Sequence, residues 1–265
     1  MDIRGYETGP IAADGAFTSD FAIPDDIAMQ YLVDMVEIER RSMDVRPGMR
    51  HKYTPLRFDP ASGARQVGGR YLFDTVQNAV DYNTFTSKEL EFEPGVKFWD
   101  RPFFLGVDRR IWRVTGARDF TPLATTHYAS RFERWTYACG NVQRLLEQAW
   151  PTVRENAGWQ RMASVWLLFQ PEEQQIGILT VAAKADGIDP ADAASRSITA
   201  LEQTESMGQF LPAELGVKKV FDRTSLILTM WLPQSRAAGG APSAFPAAPV
   251  HPLPRVAEQH PAWLP

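Results

Sequence analysis

Cysteine is almost missing from this chain: Cys139 is the single one. That excludes an intrachain disulfide framework and any cluster of thiolate ligands. Histidine is scarce too, with four residues, none at the i and i+4 spacing of a helical metal site. No apolar run approaches the ~20 residues of a membrane span. Neither sign of charge dominates. Lys and Arg number 28 against 32 Asp and Glu, giving a net charge of -4 and a pI of about 5.6. No general attraction to nucleic acid or to an anionic membrane is therefore expected. The chain has no G-x-G-x-x-G after a strand, no P-loop, no H-E-x-x-H and no G-x-S-x-G, so nucleotide, zinc-protease and nucleophile-elbow chemistry have no support. No cofactor is expected, although one histidine would suffice as an axial haem ligand. The N-terminus, MDIRGYETGPIAADGAF, lacks the basic-then-apolar order of a secretory leader, and a cytoplasmic location is expected.

What is present is the balance of a globular protein. The chain has 265 residues, 44% hydrophobic and 23% charged, enough for one large domain or two small ones. The clearest stretch is 127–156. HYASRFERWTYACG is rich in aromatic and β-favouring residues, as a strand should be. It leads into NVQRLLEQAWPTVREN, where Val142, Leu145, Leu146, Ala149 and Val153 recur at helical spacing behind Asn141 at the N-cap. Residues 160–170 and 175–184 then read as a hairpin around a polar loop at 171–174. Asp189 caps a helix with Pro190 in its first position, and 217–232 holds a last strand. The order is βαββαβ, the ferredoxin-like unit.

The first half is a fainter copy. Residues 1–26, with Gly5, Gly9, Pro10, Gly15 and Pro24, read as an arm on the surface. Residues 27–38 suit a strand, or a helix with Ala28, Tyr31, Leu32 and Met35 on one face. A hairpin follows, 53–58 and 65–73 around the turn DPASG, with Gly68 and Gly69 suggesting a bulge or a close backbone approach. Asp74 caps the next helix, VKFWDRPFF loops over the body, 109–115 is a short strand, and 116–125 links the halves. The expected organisation is an N-terminal arm at 1–26, a degenerate ferredoxin-like domain at 27–118, a second at 126–233 and an Ala/Pro-rich tail at 234–265. The tail cannot bury much, and Phe245, Trp263 and Leu264 offer a hold on a partner subunit.

Two such units, with aromatic sheets studded with polar residues, resemble the dimeric α+β barrel superfamily. GGRYLFDTVQNAVDY is similar to its small monooxygenase-like members. ERWTYACGNVQRLLEQAW is similar to antibiotic-biosynthesis-type monooxygenases and to the NIPSNAP family. The resemblance spans roughly 27–232. It implies an α+β fold in which two tandem ferredoxin-like units form one barrel around a cavity. Its members include cofactor-free monooxygenases, lactone isomerases, polyketide cyclases and haem enzymes, and fold alone does not choose among them.

Alternation puts His127, Ala129, Arg131, Glu133, Trp135 and Tyr137 on one face of the 127 strand, and Tyr128, Ser130, Phe132, Arg134 and Thr136 on the other. Either face is able to look inward. His127, Tyr128, Glu133 and His51 are the candidate proton-transfer groups. Arg131, Arg134, Arg109 and Arg113, with the rings of Trp112, Trp135 and Tyr53, are the candidate hold on a carboxylated aromatic or dienoic acid. The plainer reading makes Arg131, Glu133 and Arg134 cross-strand ion pairs on a solvated face and His51 a loop residue. The expected function is cofactor-independent isomerisation of a small organic acid by proton transfer. The alternatives are a cofactor-free monooxygenase of a phenol and a non-catalytic binding or assembly protein. A small-molecule substrate is expected as partner, and a homodimer is compatible with the sequence.

Overall fold

The computed structural model describes residues 8–28, 31–32, 46–59, 62–121, 127–183 and 190–231. Its strands are β1 (Gly9–Pro10), β2 (Gly15–Ile23), β3 (Met49–Phe58), β4 (Arg65–Phe73), β5 (Glu91–Glu93), β6 (Val96–Lys97), β7 (Leu105–Asp119), β8 (His127–Thr136), β9 (Met162–Gln170), β10 (Gln175–Ala183) and β11 (Lys218–Trp231). The helices are α1 (Val76–Thr84), α2 (Val142–Trp159) and α3 (Pro190–Gln203).

The large sheet runs β1-β7-β2-β4-β3-β11-β8-β10-β9, and β7 also pairs with β9. All its pairings are antiparallel. Apart from the short β1, the strands therefore close into a ring. Within it, β7-β2-β4-β3 and β11-β8-β10-β9 both have the order fourth, first, third, second, which is the ferredoxin-like order twice. The fold is the tandem α+β barrel expected from the sequence.

Closure depends on β7. Its first part pairs with β2 (Gly15↔Arg113, Thr18↔Arg110) and its last part with β9 (Arg113↔Phe169, Ala117↔Trp166). The short strand expected at 109–115 is thus a 15-residue strand, and the expected linker begins inside it. Gly116 makes room on this seam. A Cβ there would lie 2.2 Å from the indole of Trp150, so α2 lies flat against the junction only because that position is glycine.

The helices follow their sequence patterns. In α2, Val142, Leu146, Ala149, Val153 and Ala157 are buried, one stripe turned to the sheet. Asn141 is its N-cap by position but makes no side-chain cap bond. At α1 the cap moves one residue from the expected Asp74: Thr75 accepts from the Asn78 N–H at 3.1 Å. Asp74 accepts instead from Asn78 Nδ2 at 2.6 Å and faces Arg50 at 3.8 Å.

The surface arm expected at 1–26 is corrected. Gly15–Ile23 is a fully paired strand between β4 and β7, and Ala16 and Phe17 are wholly buried. GAFTSDFAI alternates, but its short residues give a weak strand signal, and the flanking glycines and proline masked it. With β2 as first strand, residues 27–38 fall where the unit's first helix belongs. Tyr31 and Leu32 are helical, and 29–30 and 33–38 of that segment lie outside the described residues. The Ala/Pro-rich tail also lies outside them. Gly68 and Gly69 mark close approach, not a bulge: the β2–β4 register is unbroken, and a Cβ on Gly68 would lie 2.1 Å from the Ser19 carbonyl oxygen.

Candidate functional site

The two faces of the ring differ. On β8 the even residues Ser130, Phe132 and Arg134 pair across with the inward side of β10 and β11, and the odd residues look out to the helices. The lumen is filled. Trp112, Trp166, Tyr53 and His51 are each at most 1% exposed. The His51 ring lies 4.1 Å from Tyr53 and 5.3 Å from Trp166, centroid to centroid. Trp112 donates to Thr18 Oγ1 at 2.9 Å and meets Phe132 edge-on. The large aromatic rings among them, Trp112, Trp166 and Phe132, each add on the order of 1.5–3 kcal/mol by leaving water. An eight-stranded ring is just wide enough for side chains to fill. The central cavity expected between the sheets is thus occupied by core at this level. His51, Tyr53 and Trp112 are packing residues, which corrects their expected roles.

Arg131 and Glu133 face outward and do structural work. Arg131 grips Asp222 with two bonds of 2.7 Å. It also donates to the carbonyls of Leu201 (3.3 Å) and Thr204 (3.0 Å), which end α3. Glu133, 1% exposed, accepts from Ser206 Oγ and from the Met207 N–H at 3.1 Å, and lies 3.1 Å from Lys219 Nζ. Lys219 also meets Asp222 at 2.7 Å. Burial works against the Asp222 carboxylate, but the bonds from Arg131 and Lys219 prevail and hold its pKa below the usual value. The cluster pins the turn after α3 to the sheet, with its charges matched, so Glu133 and Arg131 are reassigned from catalysis and substrate binding to structure. Trp135 lies in the same layer, where Gly208 admits its ring, with Lys219 Nζ 5.0 Å above it.

The other arginines do not converge. Arg134 faces the lumen, 2.8 Å from Asp108. Arg109 and Arg113 are on the outer face of β7, lining an open cleft of about 410 Å³ beside α1. Arg109 donates to Ser87 Oγ at 2.5 Å and lies 5.2 Å from the Trp99 ring. Burial lowers its pKa, and Asp100 opposes that shift. Four arginines distributed over three places cannot clamp one carboxylate, and this removes the observation on which isomerisation rested. His127 and Tyr128 open β8, but their side chains lie outside the described residues.

A candidate pocket lies elsewhere, on the outer face of the first sheet. Its floor includes Ser19 of β2, Lys52 and Thr54 of β3 and Tyr71 of β4. These share a face by register, Lys52 standing opposite Tyr71. Its roof is the segment after β6, a 3-10 turn (Phe98–Asp100) running on to Phe104. The volume is about 50 Å³. Phe21 touches both Trp99 (6.0 Å) and Phe104 (4.1 Å). Trp99 is latched by its Nε1–H, which donates to Thr86 Oγ1 at 3.0 Å. Thr86 sits in a π-helical turn (Phe85–Glu89) that continues α1. Two cations are buried here. Lys52 is 3% exposed, its Nζ 5.0 Å from the Tyr71 ring centre. Arg101 is 2% exposed, stacked 3.9 Å from Phe98 and 4.0 Å from Phe104. Sequence reasoning missed this site. HKYT carries two faces, His51 and Tyr53 on the lumen side and Lys52 and Thr54 on the pocket side. The aromatic VKFWDRPFF, expected to loop over the body, covers a pocket. Among the described residues no group of His, Cys, Asp and Glu could hold a metal.

Comparison with known proteins adds the fold. No family model matches the chain, and no curated protein does. A "putative monooxygenase" from Lactobacillus acidophilus NCFM superposes with a TM-score of 0.51, over 85% of this chain and 97% of that one, at 7% identity. Another, from Fusobacterium nucleatum, gives 0.49 over 83% and 95%, at 10% identity. A ferredoxin-fold protein from Listeria monocytogenes, related to antibiotic biosynthesis monooxygenases, gives 0.36 over 82% and 96%, at 7% identity. At 7% identity what the Lactobacillus protein shares with this chain is architecture: the chain is similar to it in fold.

Proposed function

We propose that the chain is a cofactor-free monooxygenase of an electron-rich phenolic compound, and that the pocket under residues 98–104 is where it acts. The observation that carries this reading is a buried lysine in an aromatic box, with Ser19 and Thr54 beside it. Lys52 is suited to hold a phenolate or enolate oxygen, and its charge is worth more there than in water. Such an anion is electron-rich enough to reduce dioxygen itself. A methylene activated by the phenol loses a proton, the carbanion adds dioxygen, and loss of water leaves a ketone. In balance, one methylene and one dioxygen give one ketone carbonyl and one water: one oxygen atom enters the substrate and the other leaves with the two methylene hydrogens. The substrate supplies all the electrons, so no external reductant is required. A dry cavity that binds benzene measures ~150 Å³, so about 50 Å³ admits dioxygen or water but no ring. Substrate entry therefore requires Trp99 and Phe104 to swing outward. The Lactobacillus protein of this fold, described as a putative monooxygenase, is in keeping with the reading.

The test is oxygen uptake over a panel of polyphenols carrying an acidic methylene, in air and under argon. Turnover that needs oxygen, and that drops ~100-fold in Lys52→Met while the thermal midpoint holds, is expected. Turnover under argon rules out the oxygenase. Saturable binding without turnover identifies a carrier.

A further inference from the structure

One mouth of the barrel is ringed by charged side chains from separate strands. Asp20 on β2 lies 2.7 Å from Arg70 on β4 and 3.4 Å from Arg223 on β11. Asp108 on β7 lies 2.8 Å from Arg134 on β8 and 3.0 Å from Arg110. Arg110 also pairs with Glu173 in the turn between β9 and β10. Arg57 on β3 shares this inward face, since its neighbour Leu56 pairs with the outward Val67. Five guanidiniums here face three carboxylates, an excess of two positive charges.

The excess is visible in the bonding. Arg57 makes no ion pair or side-chain hydrogen bond among the described residues. Arg70 is 2% exposed, yet its Nε has no acceptor among the described residues, and neither has the buried Nε of Arg134. Arg134 and Arg223 both lean on the Phe221 ring, at 4.3 and 4.6 Å. Burial lowers the pKa of Arg223; Asp20 opposes, while Arg70, Arg57 and Arg134 add to the lowering. Buried charge without a counter-charge is costly, and guanidiniums have a strong geometric match to oxyanions. The mouth is not sealed: Arg110, Arg134 and Arg223 keep 16%, 13% and 20% of their side-chain surfaces.

We propose that this mouth binds a phosphate-type oxyanion. Donors from separate strands approach it from different directions, which suits a tetrahedral anion of two charges better than a planar carboxylate. The site is separate from the pocket of the proposed oxygenase, and its failure would leave that reading untouched.

The test is calorimetry and thermal shift with inorganic phosphate, at ionic strength held constant with sodium chloride. One saturable site per chain and a midpoint raised by several degrees are expected. Arg57→Gln should weaken phosphate binding at least tenfold, with a midpoint in phosphate-free buffer equal to or above the original, because one repelling charge is gone. Arg57→Lys should retain part of the affinity. Chloride alone giving the same rise, Arg57→Gln binding phosphate undiminished, or Arg57→Gln melting lower without phosphate would each overturn the proposal. Malonate binding in place of phosphate would overturn the tetrahedral assignment.

Discussion

Glu133→Gln distinguishes a structural carboxylate from a catalytic one. The glutamine keeps the shape and removes the charge. Two hydrogen bonds are affected, from Ser206 Oγ and from the Met207 N–H. Bonds to a charged group are worth about 1.5–3 kcal/mol against about 1 for neutral ones, so the two together lose about 2 kcal/mol. Lys219 loses a partner at 3.1 Å, but its side chain is 32% exposed and it keeps Asp222 at 2.7 Å. Screening makes that loss a few tenths of a kcal/mol, on the order of a surface pair. A total of about 2–3 kcal/mol corresponds to a midpoint lowered by about 5–10 °C for a chain of this size. Urea or thermal unfolding measures it, and oxygen uptake per folded molecule is read in parallel. The expected result is a less stable protein with undiminished turnover. An unaltered midpoint with turnover abolished would refute the reasoning and return Glu133 to catalysis.

Two further outcomes follow from the same geometry. Asp222 has a folded pKa held below its unfolded value of ~3.9, so its contribution is fully present above that pH and is lost as the pH falls through the lower, folded value. Asp222→Asn should therefore unfold more easily at pH 7, and the gap between its urea midpoint and the native one should close below about pH 4; parallel curves from pH 7 to 3 would contradict the pairing. Thr86→Val removes the acceptor of Trp99 Nε1, costing about 1 kcal/mol and freeing the roof, so hydrogen exchange across 98–104 and ligand association in stopped flow should both speed up; unchanged rates would show that Trp99 is not the latch.

The second unit was legible because its elements obey one rule each. Residues 162–169, MASVWLLF, are apolar but for Ser164 because β9 has the lumen on one face and α2 on the other. The α2 stripe repeats at helical spacing, and a four-residue polar turn joins β9 to β10. In the first unit the strand was hidden by its own composition, since Gly15, Ala16, Asp20 and Ala22 carry little strand propensity. Tertiary pairing with β4 and β7 supplies what propensity does not. The candidate site was less legible than the fold. Alternation correctly separated Arg131 and Glu133 from Arg134, but it cannot distinguish a face turned to a pocket from one turned to a helix. The outward pair met the end of α3, and Arg134 met Asp108 on a strand some 26 residues earlier. Pairing partners that distant carry no local signature.

Ring closure itself explains why chemistry would be displaced to an outer face. At the level of two tryptophans, a tyrosine and a histidine the lumen is filled, which leaves the space between a sheet and what covers it. In the second unit that space is closed: α2 and α3 lie on the sheet, and the first strand turns Arg131 and Glu133 outward to fasten the cover. In the first unit the first strand turns Phe17, Ser19 and Phe21 outward, with no charge to fasten anything. Among the described residues its cover over the pocket is the 98–104 segment, tied by the Phe98 N–H to the Leu90 carbonyl oxygen at 2.9 Å, by the Trp99 indole to Thr86 and by stacked rings. Opening such a cover breaks neutral hydrogen bonds of about 1 kcal/mol each and aromatic contact, whereas the clamped one would have to expose Glu133 and Asp222 stripped of their partners. The second unit is thus the more firmly fastened half, and on the proposed reading the first is the half that opens.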